Sequence, residues 1–178
     1  MPINCFMKRN SKIRFLVQAA IIAALYAVLT HLQNILFPGL TSGAIQFRST
    51  EAMCVLAFFT PAAIPGLTLG CLVFNLTSGY ALPLDFLLGS LASLLSAVGM
   101  WYCRNIKIFK FPFLGMLFPV LFNAIIVGWE LTVYIGDAFH VNALYVAAGE
   151  AAVIFTLGTV LYFAIKSRNL DKRIFSLT

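Results

Sequence analysis

The chain has 178 residues, 61% of them hydrophobic and 10% charged, with mean hydropathy +0.95. So few polar side chains do not cover the surface of a water-soluble domain of this size, which leaves lipid as the solvent. The net charge of +6 does not indicate nucleic acid, because the basic residues gather in three clusters between apolar runs, the pattern of cytoplasmic flanks.

Lys8, Arg9, Lys12 and Arg14 precede the first apolar run, which predicts a helix over about 13–37 ending at Pro38-Gly39. It is long enough to cross a bilayer and reads as a retained span, not a cleaved signal. After a short loop, a helix over about 48–60 is broken by Pro61 and Pro65-Gly66, and another follows over about 64–77. Further spans are predicted over about 84–103, 113–135 and 141–165, with Arg104, Lys107 and Lys110 between the first two. Lys166, Arg168, Lys172 and Arg173 follow the last. Keeping all three clusters on one side requires an even number of crossings between them, so 48–60 and 64–77 are expected to fold at the proline turn as two helices. The expectation is an all-α integral membrane protein: a six-transmembrane-helix bundle, one domain over 1–178, both termini cytoplasmic.

Cys5, Cys54, Cys71 and Cys103 form no CxxC pair, and His31 and His140 stand far apart, so no metal site is expected. There is no GxxxxGK[ST], HExxH or GxSxG, so neither ATP hydrolysis nor catalytic residues nor a cofactor are expected.

Against this apolar background stand Gln33, Asn34, Gln46, Arg48, Glu51, Asn75, Asp85, Asn123, Glu130, Asn142 and Glu150. On the six-helix map nearly all fall in the outer half of the bilayer, with Asn123 and Glu150 nearest its middle. Ionisable groups there are costly unless they face a partner or a wet cavity, so the cluster predicts a solute site open to the outside. Each has a plainer reading. Arg48 and Glu51, three apart, neutralise each other; Asp85 is a helix N-cap; Asn75 and Asn142 cap helix ends; Glu130 is hydrated. Glu150 resists such a reading, lying about nine residues, or ~13 Å, below the outer start of its span. Asn123 stands one heptad before Glu130 and is expected to line the site with Glu150. The first helix also carries two stripes of small residues, Ala19, Ala23 and Ala27 beside Ala20 and Ala24, a spacing that lets helices approach closely; Gly66 and Gly70 repeat it.

The segments GAIQFRSTEAM (43–53), FFTPAAIPGLTLGCLVFNL (58–76), LDFLLGSLASLL (84–95), LFNAIIVGWEL (121–131) and NALYVAAGE (142–150) resemble the QueT family. Its members are substrate-binding S components of energy-coupling factor (ECF) transporters for queuosine precursors. The resemblance implies a six-helix receptor that binds its solute near the outer surface and docks on a T component and two ATPase subunits. An alanine motif on the first helix would form part of the docking surface: Ala19, Ala23 and Ala27, or Ala20 and Ala24. It implies a 7-deazaguanine ligand, whose paired N–H donors suit a buried carboxylate and whose carbonyl suits an asparagine. Phe47, Trp129 or Tyr145 would stack on the ring. The expected contacts are therefore Glu150, Asn123, Glu51, Asp85, Glu130, Asn142, Arg48, Tyr145 and Phe47, with no nucleic acid partner. The alternatives are an S component for another vitamin or base and, from a different class, a membrane scaffold or an enzyme using Glu150 and Asp85 as acid and base.

Overall fold

The computed structural model describes residues 3–38, 40–41, 47–79, 81–108 and 111–174, with the backbone alone at 3–10 and 172–173. Gln46 and Lys110 lie outside the described residues. Among those described, every regular element is helical: α1 (Ile3–Leu36), a 3-10 helix (Ser49–Phe58), α2 (Ala63–Thr77), α3 (Asp85–Tyr102), α4 (Phe113–Ile135), α5 (Phe139–Val153), α6 (Thr159–Ser167) and α7 (Leu170–Arg173). A π-helical segment, Ile154–Gly158, joins α5 to α6 as one continuous rod.

Among the described residues, four helical stretches are long and apolar enough to cross a membrane: Ser11–Leu36, Asp85–Asn105, Phe113–Ile135 and Phe139–Ser167. The other two of the expected six are shorter. At about 1.5 Å per residue α2 rises ~22 Å, and at about 2 Å per residue the 3-10 helix rises ~20 Å, against a hydrocarbon core of ~30 Å. Large apolar side chains point outward along the long helices, as at Leu16, Val28, Ile35, Leu121, Leu144 and Val160. The outer surface of the bundle is thus apolar, as lipid requires.

The segment expected as a second α-helix winds instead with three residues per turn. It lies at the centre of the bundle and packs against every helix from α1 to α6, with Thr50, Glu51, Ala52 and Cys54–Phe58 all buried. Eclipsed i and i+3 positions bring Cys54 beside Glu51, and its Sγ donates to Glu51 Oε2 at 3.3 Å. The proline break behaves as its chemistry dictates. Thr60 Oγ1 accepts the Ala62 N–H at 3.3 Å, and Pro65 sits in the first turn of α2, where its missing N–H leaves no bond unmade.

Around this centre α1, α2, α3, α4 and α5 pack in sequence order. The α1–α2 contact depends on glycine. A Cβ on Gly66 would lie 2.9 Å from the Ala19 carbonyl oxygen, and one on Gly70 would lie 2.7 Å from Tyr26 Cβ and 2.9 Å from the Ala23 carbonyl oxygen. The stripe Ala19, Ala23, Ala27 therefore faces α2, with Ala19 and Ala27 buried, whereas Ala20 and Ala24 are exposed. Gly70→Leu is expected to separate the two helices and cost about 1–3 kcal/mol, as overpacking does. Gly79→Ala, with nothing within 4 Å of the added carbon, should be near neutral. Thermal unfolding of the two variants in detergent compares them.

The helix directions alternate, so the bundle has two distinct ends. One, called upper here, carries the C-terminal ends of α1, α2 and α4 and the starts of the 3-10 helix, α3 and α5. The lower end carries the exposed basic residues Lys12, Arg14, Lys107, Lys166 and Arg168, together with Arg104, whose guanidinium lies 3.7 Å from the Trp101 ring centroid. In the lower half the interior is largely apolar, built from Val55, Leu67, Met100, Met116, Ile154 and Tyr162.

Candidate functional site

The polar interior lies in the upper half. Its buried charged residues are Arg48 at 7% exposure, Glu51 at 3%, Asp85 at 1%, Glu130 at 0% and Glu150 at 6%. Four different elements and one loop deliver them: the 3-10 helix, α3, α4, α5 and the residue just before Ser49.

Arg48 is the one cation among these acids, and it is held by other groups. Its Nη2 donates to the Thr41 carbonyl at 3.1 Å, its Nη1 to Cys71 Sγ at 3.6 Å, and its guanidinium lies 5.3 Å from the Phe74 ring centroid. Among the described residues no carboxylate comes within ion-pair distance of it; the ion pair there is Lys166–Asp171, at 3.4 Å. The simple reading that Arg48 and Glu51 neutralise each other is therefore replaced by separate tethers. Glu51 accepts from the Tyr26 hydroxyl on one oxygen and from Cys54 on the other.

The remaining acids are poorly supplied with donors. Glu130 has none on either oxygen, and Glu150 Oε1 has none. The strongest electrostatic neighbour of Glu130 is Asp85, followed by Arg48; that of Glu150 is Glu51, followed by Arg48. Asp85 is not the N-cap, which is Leu84 without a side-chain bond. Its Oδ2 reaches back to the Leu82 N–H at 3.0 Å. Glu130 is fully buried, so the hydrated reading is corrected too. Buried carboxylates without donors or a counter-ion cost several kcal/mol each. This interior is therefore short of positive charge and of N–H donors.

The amides divide by what they already bind. Asn75 Nδ2 donates to the Asp85 carbonyl at 2.7 Å and Asn142 Nδ2 to Thr132 Oγ1 at 3.2 Å, leaving both Oδ1 atoms without partners. Asn123 is buried, but its Nδ2 is occupied by the Pro119 carbonyl at 3.0 Å. It is thereby tied to its own helix, as an amide one turn on readily is. Gln33 closes the upper end of the α1–3-10 seam, accepting from the Ser49 N–H at 2.9 Å and donating to the Phe47 carbonyl at 2.5 Å. Phe47 thus serves through its backbone here and is partly buried.

Two expected stacking residues lie elsewhere. Tyr145 is 43% and Trp129 51% exposed, on the outer faces of α5 and α4. The aromatic surfaces beside the acids belong instead to Tyr26 and Phe74, both fully buried. Phe74 bridges Arg48 to His31, whose ring centroid is 4.9 Å away edge-on, and His31 Nε2 pairs with Thr77 Oγ1 at 2.8 Å. Beside this column, His31, Asn34, Thr77 and Ser78 line a cavity of about 230 Å³ at the upper end of α1 and α2. No group of three metal-ligating side chains occurs among the described residues.

A family model described as QueT transporter matches residues 16–167. Among curated proteins, "Queuosine precursor transporter QueT" of Lactococcus lactis subsp. cremoris (strain MG1363) is 40% identical over 73 residues, which cover 39% of this chain and 40% of that protein. No solved structure matches the chain.

Proposed function

Because the chain belongs to the QueT transporter family, a multi-pass membrane protein and not an enzyme, we propose that its acid-rich interior is the binding site for a queuosine precursor of the 7-deazaguanine class. The observation that carries this is the imbalance around Arg48: both oxygens of Glu130 and one of Glu150 buried without an N–H or hydroxyl donor, and a guanidinium held by a carbonyl, a thiol and a ring. A 7-deazaguanine supplies what is missing, namely adjacent N–H donors for a carboxylate and a flat face for Tyr26 or Phe74. The Oδ1 atoms of Asn75 and Asn142 add acceptors near the upper rim.

In this reading the upper end faces the exterior and the basic end the cytoplasm, with both termini inside and six helices across or within the bilayer. The chain acts as the S component of an ECF-type importer. It captures the solute from outside and delivers it inward after docking on a T component and two ATPase subunits, since it carries no nucleotide-binding motif of its own.

Orientation is tested directly. With Cys5 and Cys103 replaced, single cysteines at Gly79 and Asp137 in intact cells should react with an impermeant maleimide, and one at Asn105 should react only after permeabilisation. Gly79, Asp137 and Asn105 are all exposed. Reaction at Asn105 in sealed cells would reverse the orientation and the import reading with it. Binding itself is tested by titrating the purified chain with 7-deazaguanine and its 7-substituted derivatives. Riboflavin and thiamine serve as controls for another S-component specificity.

A further inference from the structure

The acids form two tiers. Glu130 stands about five residues, or ~8 Å, inside the upper end of α4, and Asp85 opens α3 at the same end. Glu150 stands about eleven residues, or ~16 Å, below the start of α5, with Glu51 as its strongest electrostatic neighbour. Asp85 and Glu130 thus make an upper pair, and Glu51 and Glu150 a lower one. Arg48 influences both tiers.

The two pairs differ in what they lack. In the lower pair, Glu51 is already supplied by Tyr26 and Cys54, and Glu150 has one oxygen without a partner; a single donor edge completes it. In the upper pair, Glu130 is fully buried, no N–H or hydroxyl donates to either oxygen, and its neighbour is a second carboxyl, that of Asp85, within hydrogen-bonding range. Asp85 uses Oδ2 on the Leu82 N–H. Beside Asp85 Oδ1, Gly89 lets α3 come close to the Asn75 amide: a Cβ there would stand 3.9 Å from that oxygen and 2.9 Å from Asn75 Nδ2. Two carboxyl groups this close at low dielectric repel unless a proton or a cation lies between them, and an ammonium supplies the cation together with its donors. Arg48, tethered to Thr41 and Cys71, does not supply it as an ion pair.

Resting on the 7-deazaguanine reading above, we propose that Asp85 and Glu130 form an ammonium subsite distinct from the Glu150 end, and that it selects precursors bearing a 7-aminomethyl cation over those with a neutral 7-substituent. The chemistry of the base fits this polarity. Its N–H donor edge and its 7-substituent lie on opposite sides of the bicycle, so the edge reaches Glu150 while the substituent reaches the upper pair. An ammonium places its three N–H donors between the two carboxylates. A nitrile brings no donor and no charge, and leaves them facing each other.

The test compares two probes, 7-aminomethyl-7-deazaguanine and 7-cyano-7-deazaguanine, titrated into the purified full chain in detergent. The wild type should prefer the amine by roughly 30-fold or more, the scale of one buried charge-assisted contact. Glu130→Gln should collapse that preference to within a few-fold by weakening the amine, and Asp85→Asn should do the same. Glu150→Gln should weaken both probes and leave the preference standing. Retained nitrile binding reports that a variant is folded. Equal wild-type affinity for the two probes, or equal loss of both in Glu130→Gln and Asp85→Asn, overturns the ammonium subsite and leaves the 7-deazaguanine reading intact. A wild type that binds neither probe overturns both.

Discussion

Replacing Glu150 with Gln is expected to weaken binding of 7-deazaguanine probes by roughly 30-fold to several-thousand-fold, the cost of removing one side of a buried charge-assisted pair. The fold should survive. Glu150 Oε1 has no hydrogen-bond partner among the described residues, and its strongest electrostatic neighbour is another acid, Glu51. Removing a buried charge that has no ion-pair partner is neutral or stabilising, so the ligand-free variant should melt no lower than the wild type. The ligand-induced stabilisation, worth about 2.7 kcal/mol at a hundredfold excess over Kd, should fall to about 1 kcal/mol or less at the same concentration. Glu51→Gln makes the contrast. Its carboxylate already accepts from Tyr26 and Cys54, tying α1 to the central 3-10 helix, so that variant should lose stability as well as affinity. If Glu150→Gln binds within a few-fold of normal and still shows the full ligand-induced shift, Glu150 is structural and the base lies elsewhere.

The position of Glu150 was legible in the sequence because depth along a helix is a matter of counting: 1.5 Å per residue from a recognisable loop. The break at Pro61 and Pro65 was legible for a similarly local reason, the missing amide hydrogen. Direction around a helix proved harder. Tyr145 lies five residues before Glu150, about 140° away around the axis at 100° per residue, and the structure turns it outward. Trp129 is one residue, about 100°, from Glu130 and also faces out. Proximity in sequence to a site residue was a poor guide to sharing its face.

The residues missed altogether are those whose partners are distant in sequence. Tyr26 and Phe74 read as ordinary core aromatics within apolar helices. Only the meeting of α1, α2 and the 3-10 helix reveals Tyr26 against Glu51 and Phe74 under Arg48. Cys54 and Cys71 read as apolar filler, yet they bond Glu51 and Arg48. The 3-10 winding of Ser49–Phe58 was not legible either, since over ten residues an i+3 and an i+4 pattern differ too little to separate. Asn123 shows the opposite failure. It is buried, as Glu130 one heptad on is, but its amide donor is occupied by its own helix.

The second large effect concerns the two alanine stripes of α1, which lie about 100° apart and carry the same spacing, so the sequence offered no choice between them. The packing of α2 decides which is free. Ala19 and Ala27 are buried, and the Ala19 and Ala23 carbonyls stand where side chains on Gly66 and Gly70 would go. Ala20 and Ala24 remain on the outer face among the exposed side chains of Leu16, Val17, Ile21 and Val28. A helix from a partner can approach α1 closely only over that pair, where no long side chain intervenes. If the chain docks on a T component through α1, the double change Ala20→Leu, Ala24→Leu should abolish uptake and co-purification of the ATPase subunits. Equilibrium binding by the isolated chain should stay within a few-fold of normal, because the acid tiers lie on the opposite side of α1. Ala23→Leu is the control that separates docking from folding: it presses on the α2 contact, and should lower thermal stability and binding together. Normal uptake by the Ala20, Ala24 double variant would move the docking surface off α1, whereas loss of its ligand binding in step with uptake would show that this face supports the bundle instead of a partner.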